Sequence, residues 1–124
     1  MSDKSVREWL EDELTPLLPT AWKIIPNQVG VETLSKVTVI ISHLAIRKLA
    51  DAPSYMENDV TITILDPHTD QVRAENDLDD NVLELATALD SLSGLIFQSA
   101  NKVFAAETYL GWDIKVSIHS RKAS

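Results

Sequence analysis

Val37, Val39 and Ile41 alternate with Lys36, Thr38 and Ser42, the period-two pattern of a strand that buries one face and wets the other. The alternation does not last. Ile40, Leu44 and Ile46 are apolar at the even positions, so both faces are greasy between about 39 and 46. In an open antiparallel sheet the second face stays polar, which leaves two readings. Either a bulge shifts the register and brings all of these side chains inside, or the second face is a contact surface for another protein chain. In both cases the strand needs partner strands and an apolar layer, because a lone hairpin is marginal in water.

The rest of the chain supplies them. Val60, Ile62 and Ile64 alternate with Thr61 and Thr63, a second long strand expected to pair antiparallel with the first. The polar connection from Arg47 to Asn58 has hairpin-loop character. Ala21–Ile25 is a shorter strand candidate, stopped by Pro26-Asn27 ahead of a turn around Gly30. Leu95–Val103 and Tyr109–His119 form a closing strand pair. In the second of these Trp112, Ile114, Val116 and Ile118 face one way, while Asp113, Lys115 and Ser117 face the other. Residues 119–124 read as a frayed tail.

Two segments carry helical periodicity instead. Residues 2–18 place Val6, Trp9, Leu10, Leu14 and Leu17 on one stripe, with Ser5 and Glu8 at capping-box spacing or Ser2 as the cap, and Pro16 and Pro19 as stops. The second helix starts from a Thr69 or Asp70 cap and runs to about Asp90. Its stripe is Leu78, Val82, Leu85, Ala86 and Leu89, and Ser93-Gly94 closes it. The order α-β-β-β-α-β-β predicts one α+β domain over residues 1–124. Its mostly antiparallel sheet has about four to five strands, with both helices on one face.

Composition removes several function classes. Nineteen acids against 11 bases give a net charge of −8, which argues against a reader of nucleic acid that works by neutralising phosphates. The chain has no cysteine, so disulfides, thiol chemistry and cysteine-type zinc sites are excluded. Three scattered glycines, at 30, 94 and 111, cannot build a phosphate-binding loop. No apolar run approaches the ~20 residues of a membrane span, and MSDKSVREWLEDEL is acidic and amphipathic, unlike a signal peptide. A soluble intracellular domain without membrane association is expected. The acidity is uneven: residues 1–18 sum to −3 and residues 66–90 to −7, leaving +2 for the remainder.

Candidate chemical groups are few. Asp66-Pro67-His68-Thr69-Asp70 could contact a divalent ion, but a strand break followed by a helix cap explains the same string. Asp77, Asp80 and Glu84 share one side of the second helix, with Asp79 nearer the apolar margin; like charges so spaced repel unless solvated or met by a cation. A solvated acidic face is the simpler reading, and no metal or other cofactor is expected. His43, His68 and His119 are the only histidines, and no serine sits in a nucleophile-elbow sequence. No catalytic residues are therefore assigned and the chain is not expected to be an enzyme. Trp9, Trp22 and Trp112 lie on or beside apolar faces, as core residues do.

The string of elements resembles the tail terminators of long-tailed double-stranded DNA bacteriophages. The likeness runs through the opening helix with Val6-Arg7-Glu8-Trp9-Leu10, Ala21-Trp22-Lys23-Ile24-Ile25-Pro26 and the apolar strand from Val37 to Leu49. It continues in Thr61-Ile62-Thr63-Ile64-Leu65-Asp66-Pro67-His68 and in the acidic helix from Ala74 to Val82. The resemblance implies a tail-tube-like fold assembled as a homohexameric ring in the virion, at the head–tail junction, after synthesis in the host cytoplasm. Such a ring caps the tail tube protein, stops its polymerisation and presents a surface to the head-completion proteins, while DNA passes through the lumen without specific binding. Ile40, Leu44 and Ile46 are then candidates for the subunit or partner interface, together with Arg47, Lys48, Tyr55 and Met56. Thr38, Ser42, Thr61, Thr63 and Ser117 would face the lumen, with the acidic face of Asp77, Asp80 and Glu84 outside. Two alternatives remain: another head–tail interface protein, such as a head-completion or tube subunit, or a small metal- or ligand-binding α+β enzyme using Asp66, His68 and Asp70.

Overall fold

The computed structural model describes residues 5–26, 33–48, 55–105 and 109–121, and for 104, 105 and 121 the backbone alone. Its elements follow the order α1 (Val6–Leu14), β1 (Lys23–Ile25), β2 (Thr38–Lys48), β3 (Tyr55–Leu65), α2 (Gln71–Asp90), β4 (Leu95–Ala105) and β5 (Tyr109–Arg121). The strands form one five-stranded sheet in the order β1-β2-β3-β5-β4. Every neighbouring pair is antiparallel except β1 with β2. The sheet is thus mixed, mostly antiparallel, with one short parallel edge strand.

Local signals set the helix starts. Ser5 Oγ accepts from the Glu8 amide at 3.2 Å while the Ser5 amide donates to Glu8 Oε1 at 3.3 Å, a reciprocal capping box. Asp70, not Thr69, caps α2, accepting from the Val72 and Arg73 amides at 3.0 and 3.4 Å. At its other end α1 is shorter than its periodicity suggests, because Pro16 has no amide to extend the ladder. The chain turns there, so Leu18 enters the core at 5% exposure and Leu17 is left 45% exposed. Together with Leu83 on α2, Leu17 borders an apolar cleft of about 420 Å³. α2 ends on Ser91, and Gly94 then turns with φ of 83°, a conformation that favours glycine.

One core joins both helices to one sheet face. Leu10 and Leu14 of α1 and Leu78, Leu85 and Leu89 of α2 pack in the same cluster as Val39, Ile41, Val60, Ile62, Ile64, Ile114, Val116 and Ile118. The register explains the sharing, since Ile41 lies opposite Ile62 and Ile62 opposite Ile114, and cross-strand neighbours point to one side. Trp9, Trp22 and Trp112 pack against this cluster, as their apolar neighbourhoods imply. The indole Nε1 of Trp112 is buried without a hydrogen-bond partner, and Lys102 Nζ lies 5.8 Å from its ring centroid.

The other face is closed at one end. Thr38, Leu65 and Gly111 form a row on it, and Leu65 is fully buried there. A Cβ on Gly111 would sit 2.5 Å from both the Ile64 carbonyl oxygen and a Leu65 methyl, so only glycine lets the two strands approach this closely. Tyr109, on the same side of β5, accepts a hydrogen bond from the Leu34 amide at 3.0 Å. The segment ahead of β2 is thereby pinned to this end of the sheet.

Three strands are longer than their sequence suggests. Arg47, Lys48, Tyr55 and Met56 belong to β2 and β3 and not to a connecting loop, and β5 continues through Ser120 to Arg121 where a frayed tail is expected. The three strands pair with each other along this extension, Lys48 with Met56 and Met56 with Ser120, so each backbone finds its partner. The expected turn around Gly30, the alternative Ser2 cap and residues 122–124 lie outside the described residues.

Candidate interaction surface

β2 and β4 each carry a bulge, and the two stand level across the sheet. The register slips at Leu44, between His43 and Ala45, and at Gln98, between Phe97 and Ser99. His43, Val60, Val116 and Phe97 form the intervening cross-strand row. A bulge adds an unpaired residue and bends its strand, so the sheet changes character at this level. On one side Thr38 to Ser42 are all buried. On the other Leu44 and Ile46 are each 59% exposed. Five of the eight exposed large apolar side chains among the described residues lie at or beyond the bulges: Leu44, Ile46, Tyr55, Ile96 and Phe97.

The bulge therefore exists, but it does not tuck Leu44 and Ile46 inside. Ile40 is buried within the chain itself and is unavailable to a partner, a correction to its place in the interface set. Leu44 with Arg47, Asp59, Thr61, Gln98 and Lys115 lines a shallow depression of about 220 Å³ on the face opposite the helices. Past the extra residue the alternation inverts, so Ile46 pairs with Asn58 and turns toward the helix side. The apolar residues of this end thus serve both faces. β4 is the sheet edge beside Ile96 and Phe97, and an 11-residue edge strand is a template for pairing with another chain.

Polar side chains hold the extension in register. Arg47 Nη2 lies 3.1 Å from Glu57 Oε1 and 2.8 Å from Asp59 Oδ1. With Arg47 58% exposed, the two contacts are worth at most about 1 kcal/mol each. Asn58 is 1% exposed and donates from Nδ2 to the Ile118 carbonyl at 2.9 Å and to Ser120 Oγ at 2.8 Å. Sequence reading misses this residue, because a lone asparagine ahead of a strand looks like a turn former. The usable signal is its even-numbered position, in phase with Val60, Ile62 and Ile64.

The expected polar face is one face, yet much of it is not open. Ser42 pairs with Thr61, Thr61 with Lys115, and Asp59 with Ser117, which puts Thr38, Ser42, Thr61, Thr63 and Ser117 on the same side. Thr38, Ser42 and Ser117 are nonetheless buried, which corrects their reading as lumen-facing. Small side chains amid longer cross-strand neighbours lose their water. Thr61 and Thr63 stay half-buried, and Thr63 Oγ1 donates to Asp113 Oδ1 at 2.6 Å.

On α2 the acids are exposed, Asp79, Asp80 and Glu84 included. Asp77 has a partner, since its Oδ2 lies 3.3 Å from His68 Nδ1. Glu75 is paired with Lys102 at 2.9 Å. His68 also faces the fully buried Asp66, with Nδ1 2.7 Å from Oδ1. His43 sits at the β2 bulge with Nε2 buried and without a hydrogen-bond partner, and His119 is half-buried on β5. No described helix is long and apolar enough to cross a membrane.

Comparison with protein-family models and with curated proteins finds no match to this chain.

Proposed function

We propose that this chain is a structural, ring-forming subunit of the phage tail-terminator type, which caps a tail tube and offers a docking surface for head completion. The observation that carries the reading is the concentration of exposed apolar side chains on the bare end of the sheet, at and beyond the level bulges. Exposed apolar side chains gathered at one end of a sheet point to protein–protein contact. The open β4 edge beside it supplies backbone donors and acceptors. Leu44, Ile46, Arg47, Lys48, Tyr55 and Met56 make the subunit or tube contact, and the half-open Thr61–Thr63 face looks toward the lumen. The helices with Asp77, Asp80 and Glu84 then face outward, where their charge keeps rings soluble and apart.

Light scattering over a wide concentration range tests this. A closed species near six times 13.8 kDa is expected. Open-ended heterogeneous polymers would favour a tube protein instead, and a monomer at every concentration would remove self-assembly from the reading. Labelling single-cysteine variants Thr63→Cys and Asp80→Cys in the assembled ring tests the orientation: Asp80→Cys protected and Thr63→Cys bulk-reactive would reverse it.

A further inference from the structure

We infer that Asp66, His68 and Asp77 form a binding site for a borderline divalent cation of the Zn2+ class. One ligand-capable atom from each lies within 4.8 Å of the others. The separations from His68 Nδ1 are 2.7 Å to Asp66 Oδ1 and 3.3 Å to Asp77 Oδ2. Ligands held about 2.0–2.2 Å from one ion sit roughly 3–3.4 Å apart along the edges of an octahedron or tetrahedron, so little movement is needed.

A second observation concerns Asp66 alone. Its side chain is fully buried, yet Oδ2 has no hydrogen-bond partner. Burying a carboxylate with an oxygen unmatched costs several kcal/mol unless a cation meets it. Its Oδ1 accepts the His68 backbone amide at 2.8 Å, a local turn contact that leaves Oδ2 unmatched, and Asp70, not Asp66, caps α2. The two oxygens of one carboxylate lie only about 2.2 Å apart, so an ion that approaches Asp66 in the bidentate direction meets Oδ1 and the orphaned Oδ2 together. Solvent has access from the other side, where His68 is 34% and Asp77 47% exposed, leaving room for waters on the remaining positions.

The donor set chooses the ion. One imidazole with two carboxylates suits Zn2+ or its neighbours, whereas Mg2+ and Ca2+ prefer oxygen throughout. The bound ion would clamp the connection that follows β3, which carries Asp66 and His68, to the second turn of α2, which carries Asp77. That clamp is independent of any ring assembly.

Calorimetric titration of the chelator-treated, tag-free chain with Zn2+ tests it, beside the variants His68→Ala, Asp77→Asn and, as a control, His119→Gln. Both ligand substitutions are at half-open positions, and circular dichroism without metal confirms that each variant is folded. One saturable Zn2+ per chain is expected, with the melting temperature raised by several degrees. Each ligand substitution should weaken binding by at least about tenfold, and His119→Gln should leave it unchanged. Absence of saturable binding by the parent chain, or binding that survives either ligand substitution, overturns the site.

Discussion

Ile41 and Leu44 stand three positions apart on one strand, yet Ile41 is fully buried and Leu44 is 59% exposed. Their chemistry is nearly the same. What differs is cover: Ile41 lies beside Ile62 in the core cluster shared with the helices, whereas Leu44 is the extra residue of a bulge and opens on the other face of the sheet. Most of the core lies in the closed half of the sheet, with Ile118 the core residue past the bulge row, and the bare half is where the chain has surface to offer. An apolar residue by itself does not say which half it serves.

The sharpest way to break that contrast is to truncate both residues. Ile41→Ala is expected to cost about 2–5 kcal/mol of unfolding free energy, as cavity-forming core truncations do, whereas Leu44→Ala stays within about 0.5 kcal/mol. Urea melts of the two variants check this, and equal losses would mean that the bare half is already structural. Gly111→Ala probes the closed half through its backbone. With a new Cβ 2.5 Å from the Ile64 carbonyl oxygen, a loss of about 1–3 kcal/mol is expected, read in the same melts.

Asn58 lies at the boundary, and Asn58→Ala removes its bonds to the Ile118 carbonyl and Ser120 Oγ. A destabilisation of about 1–3 kcal/mol follows from buried acceptors left unmatched. Amide hydrogen exchange should show the extension, 46–48 with 55–57 and 119–121, opening before the core. The smallest effect belongs to Arg47→Ala, under about 1 kcal/mol because the ion pairs are exposed. Even that difference should fade in high salt.

Much of the closed half is legible in the sequence. The Ser5–Glu8 capping box, the Asp70 cap and the alternation of Val60, Ile62 and Ile64 are local signals, and each sits where its local chemistry puts it. The bare half is less legible because its features are relations between distant residues. Nothing near Leu44 announces that its bulge will stand level with one at Gln98, across two other strands. Residues 47–48 and 55–58 imitate a loop in the sequence, since strands beyond the core need no apolar alternation. Ser117 reads as solvent-facing, but only its neighbours reveal its burial. The Asp66–His68 contact is visible as a local string, whereas Asp77 joins it only once α2 has folded back over the turn.

Because the chain has no cysteine, single thiols can test the central claim directly. The measurement is the rate of thiol labelling of Ile46→Cys from dilute to concentrated protein, with Asp80→Cys as the exposed reference. Ile46→Cys is expected to react quickly when dilute and to become several-fold protected on concentration, while Asp80→Cys stays reactive throughout. An Ile46→Cys thiol that reacts at one rate across all concentrations would contradict the account, because the bare half would then meet no other copy of the chain.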